Sequence, residues 1–121
     1  MKKILFIEDD RQLQDTCLKK FTDEGFVFLQ ALDAQKGLAM VKSQNPDLIL
    51  LDIMLPGHMN GFDILEQIEK NPNLAKIPVI VLTNLDSEEK VARSIGAKGY
   101  LVKANTSIDE IVETVKRHLN A

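Results

Sequence analysis

Five short runs of apolar, β-branched and aromatic residues recur along the chain, separated by segments with helical periodicity. The runs are KILFI (3–7), FVFLQ (26–30), LILL (48–51), IPVIVL (77–82) and GYLV (99–102). Short runs of this composition, bounded by polar residues or by Gly and Pro, predict β-strands. The first, third and fourth are nearly continuous rather than alternating, which is typical of parallel strands covered on both faces.

Each predicted strand is followed by a segment whose apolar residues share one face of a helix. The predicted buried positions are Leu13, Cys17, Leu18 and Phe21; Ala34, Leu38 and Val41; Leu65 and Ile68; Val91, Ala92 and Ile95; and Ile108, Ile111, Val112, Val115 and Leu119. Asp33 is a candidate N-cap for the second helix, and Asp86 or Ser87 for the fourth. Ser107 and Glu110 form a candidate capping box at the start of the fifth.

The strict alternation of strand and helix, five times over, predicts an α/β fold. Each crossover must return to the same end of the sheet and is right-handed almost without exception, so the strands run parallel and helices cover both faces. The expected architecture is a three-layer α/β/α doubly wound sandwich, (βα)5. No repeat, low-complexity tract or linker interrupts the pattern, and we expect one domain over residues 1–121.

Composition and charge narrow the class of protein. With 45% apolar and 27% charged residues, the chain has the composition of a soluble globular protein, and no apolar run is as long as a membrane span. The N-terminal MKK precedes only a short apolar run, so no signal peptide is predicted and we expect a cytoplasmic location. A net charge of −3 disfavours nucleic acid and membrane partners and favours proteins. Cys17, the only cysteine, is interpreted as a small buried apolar residue.

Polar residues that could take part in catalysis or in metal binding follow four of the five predicted strands. Strand 1 is followed by Glu8, Asp9 and Asp10, strand 3 by Asp52, strand 4 by Thr83 and strand 5 by Lys103. In open α/β sheets, ligands bind beyond the carboxyl ends of the strands, where the strand order reverses. If strands 1 and 3 are neighbours there, Glu8, Asp9 and Asp52 converge. Two carboxylates about 4 Å apart repel by about 4 kcal/mol at an effective dielectric constant near 20, so such a cluster needs a proton or a cation.

Mg²⁺ suits these oxygen donors better than Zn²⁺ does, because neither His58 nor His118 is spaced with a cysteine as a zinc site requires. A metal-bound aspartate can act as a nucleophile toward phosphorus. Asp52 is the candidate for that role, with Thr83 as hydrogen-bond donor and Lys103 as counter-charge to the phosphoryl group.

Each of these residues also has a plain structural interpretation. An acidic strand end is favourable at a helix N-terminus, a threonine can cap a turn, and a lysine can be solvated. The occurrence of all these residues at the ends of four strands favours a common functional site over four unrelated structural roles.

The segments KKILFIEDD, PDLILLDIMLPG with NGFDIL, IPVIVLTN and GAKGYLVK resemble the successive motifs of the receiver domain of two-component response regulators, over about residues 2–118. The resemblance implies the flavodoxin-like strand order 2-1-3-4-5. It implies that Asp52 accepts a phosphoryl group from a sensor kinase histidine, and that Mg²⁺ is bound directly by Asp9 and Asp52, by Glu8 through water, and by the backbone carbonyl of Met54.

The resemblance also implies a conformational switch. Thr83 turns toward the phosphoryl group, Lys103 pairs with it, and Tyr100 swings inward with Thr83. The partners implied are a sensor histidine kinase or phosphotransfer protein and an output protein controlled by the helix 4–strand 5–helix 5 face. A homodimer through that same face is a further expectation.

Three positions depart from the family pattern. Ala104 replaces the usual proline after Lys103, and because a cis non-proline bond costs about 3–4 kcal/mol, we expect a trans peptide and a rearranged 103–106 loop. The turn after Asp52 holds one extra residue around His58, and we expect it to bulge over the site. Asn84 is bulkier than the residue usual there, and we expect it to slow phosphoryl entry and loss.

Three other classes of function fit the sequence less well. An aspartate-dependent phosphatase would need a general acid two residues beyond the nucleophile, where Met54 stands. A nucleotide or flavin module would need a glycine- or hydroxyl-rich phosphate loop, and EDDRQLQD has the wrong charge. A pseudo-receiver would act as a constitutive binding module; the complete set of pocket residues argues against it, while Ala104 keeps it open.

Overall fold

Strands and helices alternate along residues 1–120, the part of the chain that the computed structural model describes. The elements are β1 (Lys3–Ile7), α1 (Arg11–Asp23), β2 (Val27–Ala31), α2 (Ala34–Gln44), β3 (Leu48–Leu51), α3 (Gly61–Lys70), β4 (Val79–Thr83), α4 (Glu89–Ile95), β5 (Gly99–Val102) and α5 (Ile108–Asn120), with a 3₁₀ turn at Lys103–Asn105 before α5. The predicted strand–helix alternation is confirmed, with the second and fourth strands displaced by one or two residues.

All five strands pair in parallel in the order β2-β1-β3-β4-β5. β1 and β3 are therefore neighbours, with Ile7 opposite Leu51, and the strand order reverses between them. Backbone hydrogen bonds continue beyond the strands: the Asp52 N–H donates to the Ile7 carbonyl at 3.1 Å, and the Glu8 N–H donates to the Ala31 carbonyl at 2.9 Å. The backbone of both acidic residues is thus fixed as part of the sheet.

Two apolar cores lie on opposite faces of the sheet. Successive residues of β1 alternate between them, with Leu5 facing the core under α2, α3 and α4, and Phe6 facing the core under α1 and α5. In the second core, the rings of Phe21 and Phe28 stack with centroids 5.3 Å apart. Burial of each such side chain stabilises the fold by about 1.5–3 kcal/mol, which explains why strands covered on both faces lack polar alternation.

Two predicted buried positions are wrong. Leu18 on α1 is 36% exposed and Val91 on α4 is 47% exposed. On α1 the buried line runs through Gln14, Cys17 and Phe21, which places Leu18 one position further around the helix.

Helix N-termini agree with the sequence prediction at two of three places. The Asp33 carboxylate accepts a hydrogen bond from the Lys36 N–H at 2.8 Å, and the Glu110 N–H donates to Ser107 Oγ at 3.1 Å. The predicted cap of α4 by Asp86 or Ser87 is wrong. The chain bends at these residues, so that α4 begins at Glu89, after an N-cap position that makes no side-chain capping bond.

Cys17 is fully buried in the core under α1 and α5, as predicted. Burial raises the pKa of its thiol to about 12, and the nearby charge of Glu8 adds to the effect. Within residues 1–120, no helix has the length and apolar character needed to cross a membrane.

Candidate functional site

Three carboxylates meet at the carboxyl edge of β1 and β3. Glu8 follows β1 and is fully buried, Asp52 follows β3 and is 3% exposed, and Asp9 is exposed. One oxygen from each lies within 4.8 Å of the other two. Across residues 1–120 this is the one group of three or more His, Cys, Asp or Glu side chains placed closely enough to hold a metal ion. The strand order brings the predicted acidic residues together.

The Asp52 carboxylate is held in a fixed orientation. The Met54 N–H donates to Oδ1 at 3.0 Å, and Lys103 Nζ donates to Oδ2 at 2.8 Å. Each carboxylate oxygen therefore faces a donor, one from the turn after β3 and one from the residue that follows β5.

Glu8 shares the same ammonium group. Lys103 Nζ also contacts Glu8 Oε1 as an ion pair, while the Asp10 N–H donates to Oε2 at 3.2 Å. Burial raises the pKa of the Glu8 carboxyl to about 7, because desolvation and the Asp52 charge outweigh the attraction of Lys103. Burial alone would lower the pKa of Lys103, but its bonds to Asp52 and Glu8 outweigh desolvation and raise it, so the side chain is an ammonium.

Thr83 and Tyr100, the predicted switch residues, are both bonded to the backbone of Leu85. Thr83 is fully buried at the end of β4, and its Oγ1 accepts from the Leu85 N–H at 3.4 Å. Tyr100 lies opposite Val81 in β5, and its hydroxyl donates to the Leu85 carbonyl. Burial raises the pKa of the partly buried Tyr100 phenol. The backbone of Leu85 therefore connects the two side chains through hydrogen bonds.

The predicted trans peptide after Lys103 is confirmed, since residues 1–120 contain no cis peptide bond. The segment after β5 forms the 3₁₀ turn, closed by the Thr106 N–H to the Lys103 carbonyl at 3.3 Å and by Thr106 Oγ1 to the Val102 carbonyl at 2.7 Å.

The turn that carries the extra residue lies beside α2 and α3. Its residues 56–59 line a cavity of about 730 Å³ together with Asp33 and Glu66, and none of the three site carboxylates lines that cavity. Met54 is 55% exposed and Asp9 is exposed, so the predicted bulge over the site is not supported. Asn84 is exposed, and its effect on phosphoryl exchange stays a prediction.

Sequence reasoning missed Gln14. This α1 residue is 1% exposed, and its side-chain amide donates to three carbonyls at the carboxyl ends of β1 and β2. The signal available in the sequence was a glutamine at a position that shares the inward face of α1 with Cys17 and Phe21, close after the acidic strand end.

The fold and the site together define a doubly wound α/β domain with an acidic, cation-directed site at the carboxyl edge of its sheet. The family model for the response regulator receiver domain matches residues 4–116. The chain belongs to this family, and it is a receiver domain of a two-component regulatory system. Such domains act in signalling together with histidine kinases and output domains.

The similar proteins agree with this assignment. The chain is 33% identical to Protein PilH of Pseudomonas aeruginosa, over 100% of this chain and 97% of that protein. It also matches transcriptional regulatory proteins, of which it spans only 45–51%. The receiver domain of the Francisella response regulator 1452 superimposes with a TM-score of 0.89 at 30% identity, covering 99% of this chain and 98% of that one. The response regulator TrrA of Thermotoga maritima, solved in complex with Mg²⁺ and BeF, gives 0.85 at 29% identity, covering 97% and 98%.

Proposed function

We propose that this receiver domain accepts a phosphoryl group on Asp52 from a sensor kinase histidine, with Mg²⁺ bound beside it. The observation that carries the proposal is the Asp52 carboxylate itself. It is buried at the edge of a rigid sheet, oriented by the Met54 N–H and by Lys103, and lies within 4.8 Å of two further carboxylates.

The residues present fit a magnesium ion. All side-chain donors in the cluster are carboxylate oxygens, and Mg²⁺ prefers such hard ligands while keeping several waters. Asp9 and Asp52 would bind the ion directly, Glu8 through water, and Met54 through its backbone carbonyl. When bound, Mg²⁺ supplies positive charge that offsets the phosphoryl oxygens.

The transfer step uses the residues of this chain as follows. An Asp52 oxygen attacks phosphorus, the new O–P bond forms, and the N–P bond of the donor phosphohistidine breaks with its electron pair returning to the histidine nitrogen. Lys103 then exchanges its bond to Asp52 for the phosphoryl group, and the Thr83 hydroxyl turns to donate to it. Because Oγ1 of Thr83 accepts from Leu85 and Tyr100 donates to the same residue, movement of Thr83 changes the surroundings of Tyr100.

The face formed by α4, β5 and α5 is the proposed output surface. Its three elements meet at the Lys98 carbonyl, which accepts from Arg93 Nη1 of α4 at 3.2 Å and lies 3.2 Å from Nε2 of His118 of α5. A change at Tyr100 in β5 is thus next to a point that joins both helices. We propose that an output protein, or a second copy of the chain as a homodimer, recognises this face.

The remaining parts of the proposal concern the chain as a whole. Residues 1–121 form one receiver unit, phosphorylated by a sensor histidine kinase or phosphotransfer protein in the cytoplasm, and the chain is not an enzyme. Met54 occupies the place where a phosphatase would need a general acid, and its side chain is 55% exposed and cannot donate a proton.

Intact mass after incubation with acetyl phosphate and Mg²⁺ tests the proposal. We expect a gain of one phosphoryl group that is lost in Asp52→Asn and in EDTA. Asp109→Asn, the same substitution at a side chain that is 82% exposed, is the matched control and should be labelled like the wild type. No gain in the wild type, with Mg²⁺ shown to bind, would contradict phosphoacceptor function and favour the constitutive binding module.

A further inference from the structure

Gln14 is a buried polar side chain to which the phosphotransfer chemistry assigns no role. It is 1% exposed, and its Oε1 accepts no hydrogen bond from any residue in the range 1–120. A buried amide is costly unless its hydrogen bonds are satisfied, and an unpaired acceptor keeps part of that cost. Methionine or leucine would fill a similar volume without it. Packing alone therefore does not explain a glutamine at this position.

The amide nitrogen of Gln14 is bonded to the ends of two strands. Nε2 donates to the Phe6 carbonyl at 2.8 Å, to the Glu8 carbonyl at 3.1 Å and to the Ala31 carbonyl at 3.1 Å. Since the group carries two hydrogens, one of them is shared between two acceptors. The Ala31 carbonyl also accepts from the Glu8 N–H at 2.9 Å, so the amide completes a cluster of bonds around Glu8.

The Glu8 carbonyl belongs to the peptide unit that leads into Asp9. Because a peptide unit is planar, a bond to its oxygen also fixes the direction in which the chain enters Asp9. On the other side of Asp9, the Asp10 N–H is bonded to Glu8 Oε2, and the Asp10 carboxylate caps α1. Asp9 itself has an exposed side chain, yet its backbone lies between two anchored positions.

We propose that Gln14 is a positioning residue for the metal site: its amide fixes the Glu8–Asp9 peptide and so holds the Asp9 carboxylate within reach of Asp52. This inference rests on the proposed Mg²⁺ site. Groups that orient metal ligands from behind change metal affinity by about 10–100-fold when they are removed. Gln14 lies behind the ligands and does not touch the phosphoryl group.

Gln14→Met removes the donor and keeps a similar volume. We expect its Mg²⁺ dissociation constant, measured by calorimetry without phosphoryl donor, to rise by about 10-fold. In acetyl phosphate labelling, we expect the half-saturating Mg²⁺ concentration to rise while the maximal rate at saturating Mg²⁺ changes little. A residue with a purely structural role would not give this separation.

Gln30→Met is the matched control. Gln30 lies in β2, and its buried Nε2 has no hydrogen-bond partner within the described chain, so the same substitution should leave Mg²⁺ affinity unchanged. A folded Gln14→Met protein that binds Mg²⁺ within 2-fold of the wild type would overturn the inference, as would an equal loss in Gln30→Met. If the wild type itself fails to bind Mg²⁺, the proposed metal site fails instead.

A measurement on the wild type covers the case in which Gln14→Met does not fold. The side-chain amide resonances of Gln14 should exchange slowly with solvent and shift when Mg²⁺ is added, while those of exposed Gln12 should not. Gln14 resonances that do not respond to Mg²⁺ would refute the positioning role.

Discussion

Replacement of Lys103 by methionine tests whether one ammonium group holds the acidic cluster together in the absence of metal. The Lys103 side chain is 18% exposed and pairs with both Glu8 and Asp52. Without it, and while both carboxyls are ionised, carboxylate oxygens within 4.8 Å of one another repel by about 3.5 kcal/mol at an effective dielectric constant of 20. Breaking a buried ion pair by removal of one partner costs about 3–5 kcal/mol, which agrees with that figure.

At a pH well above the Glu8 pKa of about 7, we therefore expect Lys103→Met in EDTA to lose about 3–5 kcal/mol of unfolding free energy. This is a large part of the 5–15 kcal/mol typical of such domains. Saturating Mg²⁺ should restore most of this loss, because the cation takes over the role of the ammonium. The wild type should gain less from Mg²⁺, since its lysine competes with the ion for the same carboxylates.

Urea unfolding at equilibrium, with EDTA or with saturating Mg²⁺, measures both quantities. Lys20→Met is the matched control: Lys20 pairs with Asp109 at 3.2 Å and Glu24 at 3.8 Å on the surface, so its loss should change stability little and independently of Mg²⁺. The reasoning fails if Lys103→Met loses less than about 1 kcal/mol in EDTA, or if Mg²⁺ stabilises it no more than it stabilises the wild type.

Three further predictions follow from single contacts. Gly61→Ala would place a β-carbon 2.4 Å from the Asp52 carbonyl oxygen. We therefore expect urea unfolding to show a loss of about 1–3 kcal/mol in stability, and we expect labelling of Asp52 to slow. In the control Gly99→Ala the nearest contact of the new β-carbon is a side chain at 3.2 Å, and equal stability of the two variants would contradict the prediction. Burial raises the pKa of Cys17 to about 12, so at pH 9 about one thiol in a thousand is ionised in the folded protein. Iodoacetamide should therefore modify Cys17 only after unfolding, and rapid alkylation of the native protein would contradict this. Asn84→Ala should lose its phosphoryl group faster than the wild type, followed by intact mass over time, and equal lifetimes would show that Asn84 is no barrier.

The parallel sheet could be predicted from patterns that act over the whole chain, whereas the strand order was implied by the resemblance to receiver domains. Continuous apolar runs identify parallel strands. Once the strand order makes β1 and β3 neighbours, the residues that follow them lie side by side. The convergence of Glu8, Asp9 and Asp52 follows from this adjacency. The trans peptide at Ala104 followed from the energetic cost of its alternative.

Details that depend on tertiary contacts could not be predicted in the same way. Leu18 and Gln14 are both compatible with helical spacing around Cys17, and only the position of α1 on the sheet decides which of them is buried. The predicted start of α4 is wrong because Asp86 and Ser87 are good capping residues by type, but their loop is bonded to another element. The Tyr100 hydroxyl of β5 donates to the carbonyl of Leu85, which directly precedes Asp86. The position of the turn around His58 depends on its packing beside α2, which lies more distant in sequence, as well as on α3, which it directly precedes.

The double attachment of Leu85 has a consequence for how this domain can vary. Its N–H is bonded to Thr83 and its carbonyl to Tyr100, so both connections use main-chain atoms that every residue except proline can supply. The leucine could be exchanged during evolution while the connection between the two side chains persists. An alanine scan would record position 85 as a packing residue and overlook its two backbone hydrogen bonds. Leu85→Pro removes the N–H and would break the bond to Thr83.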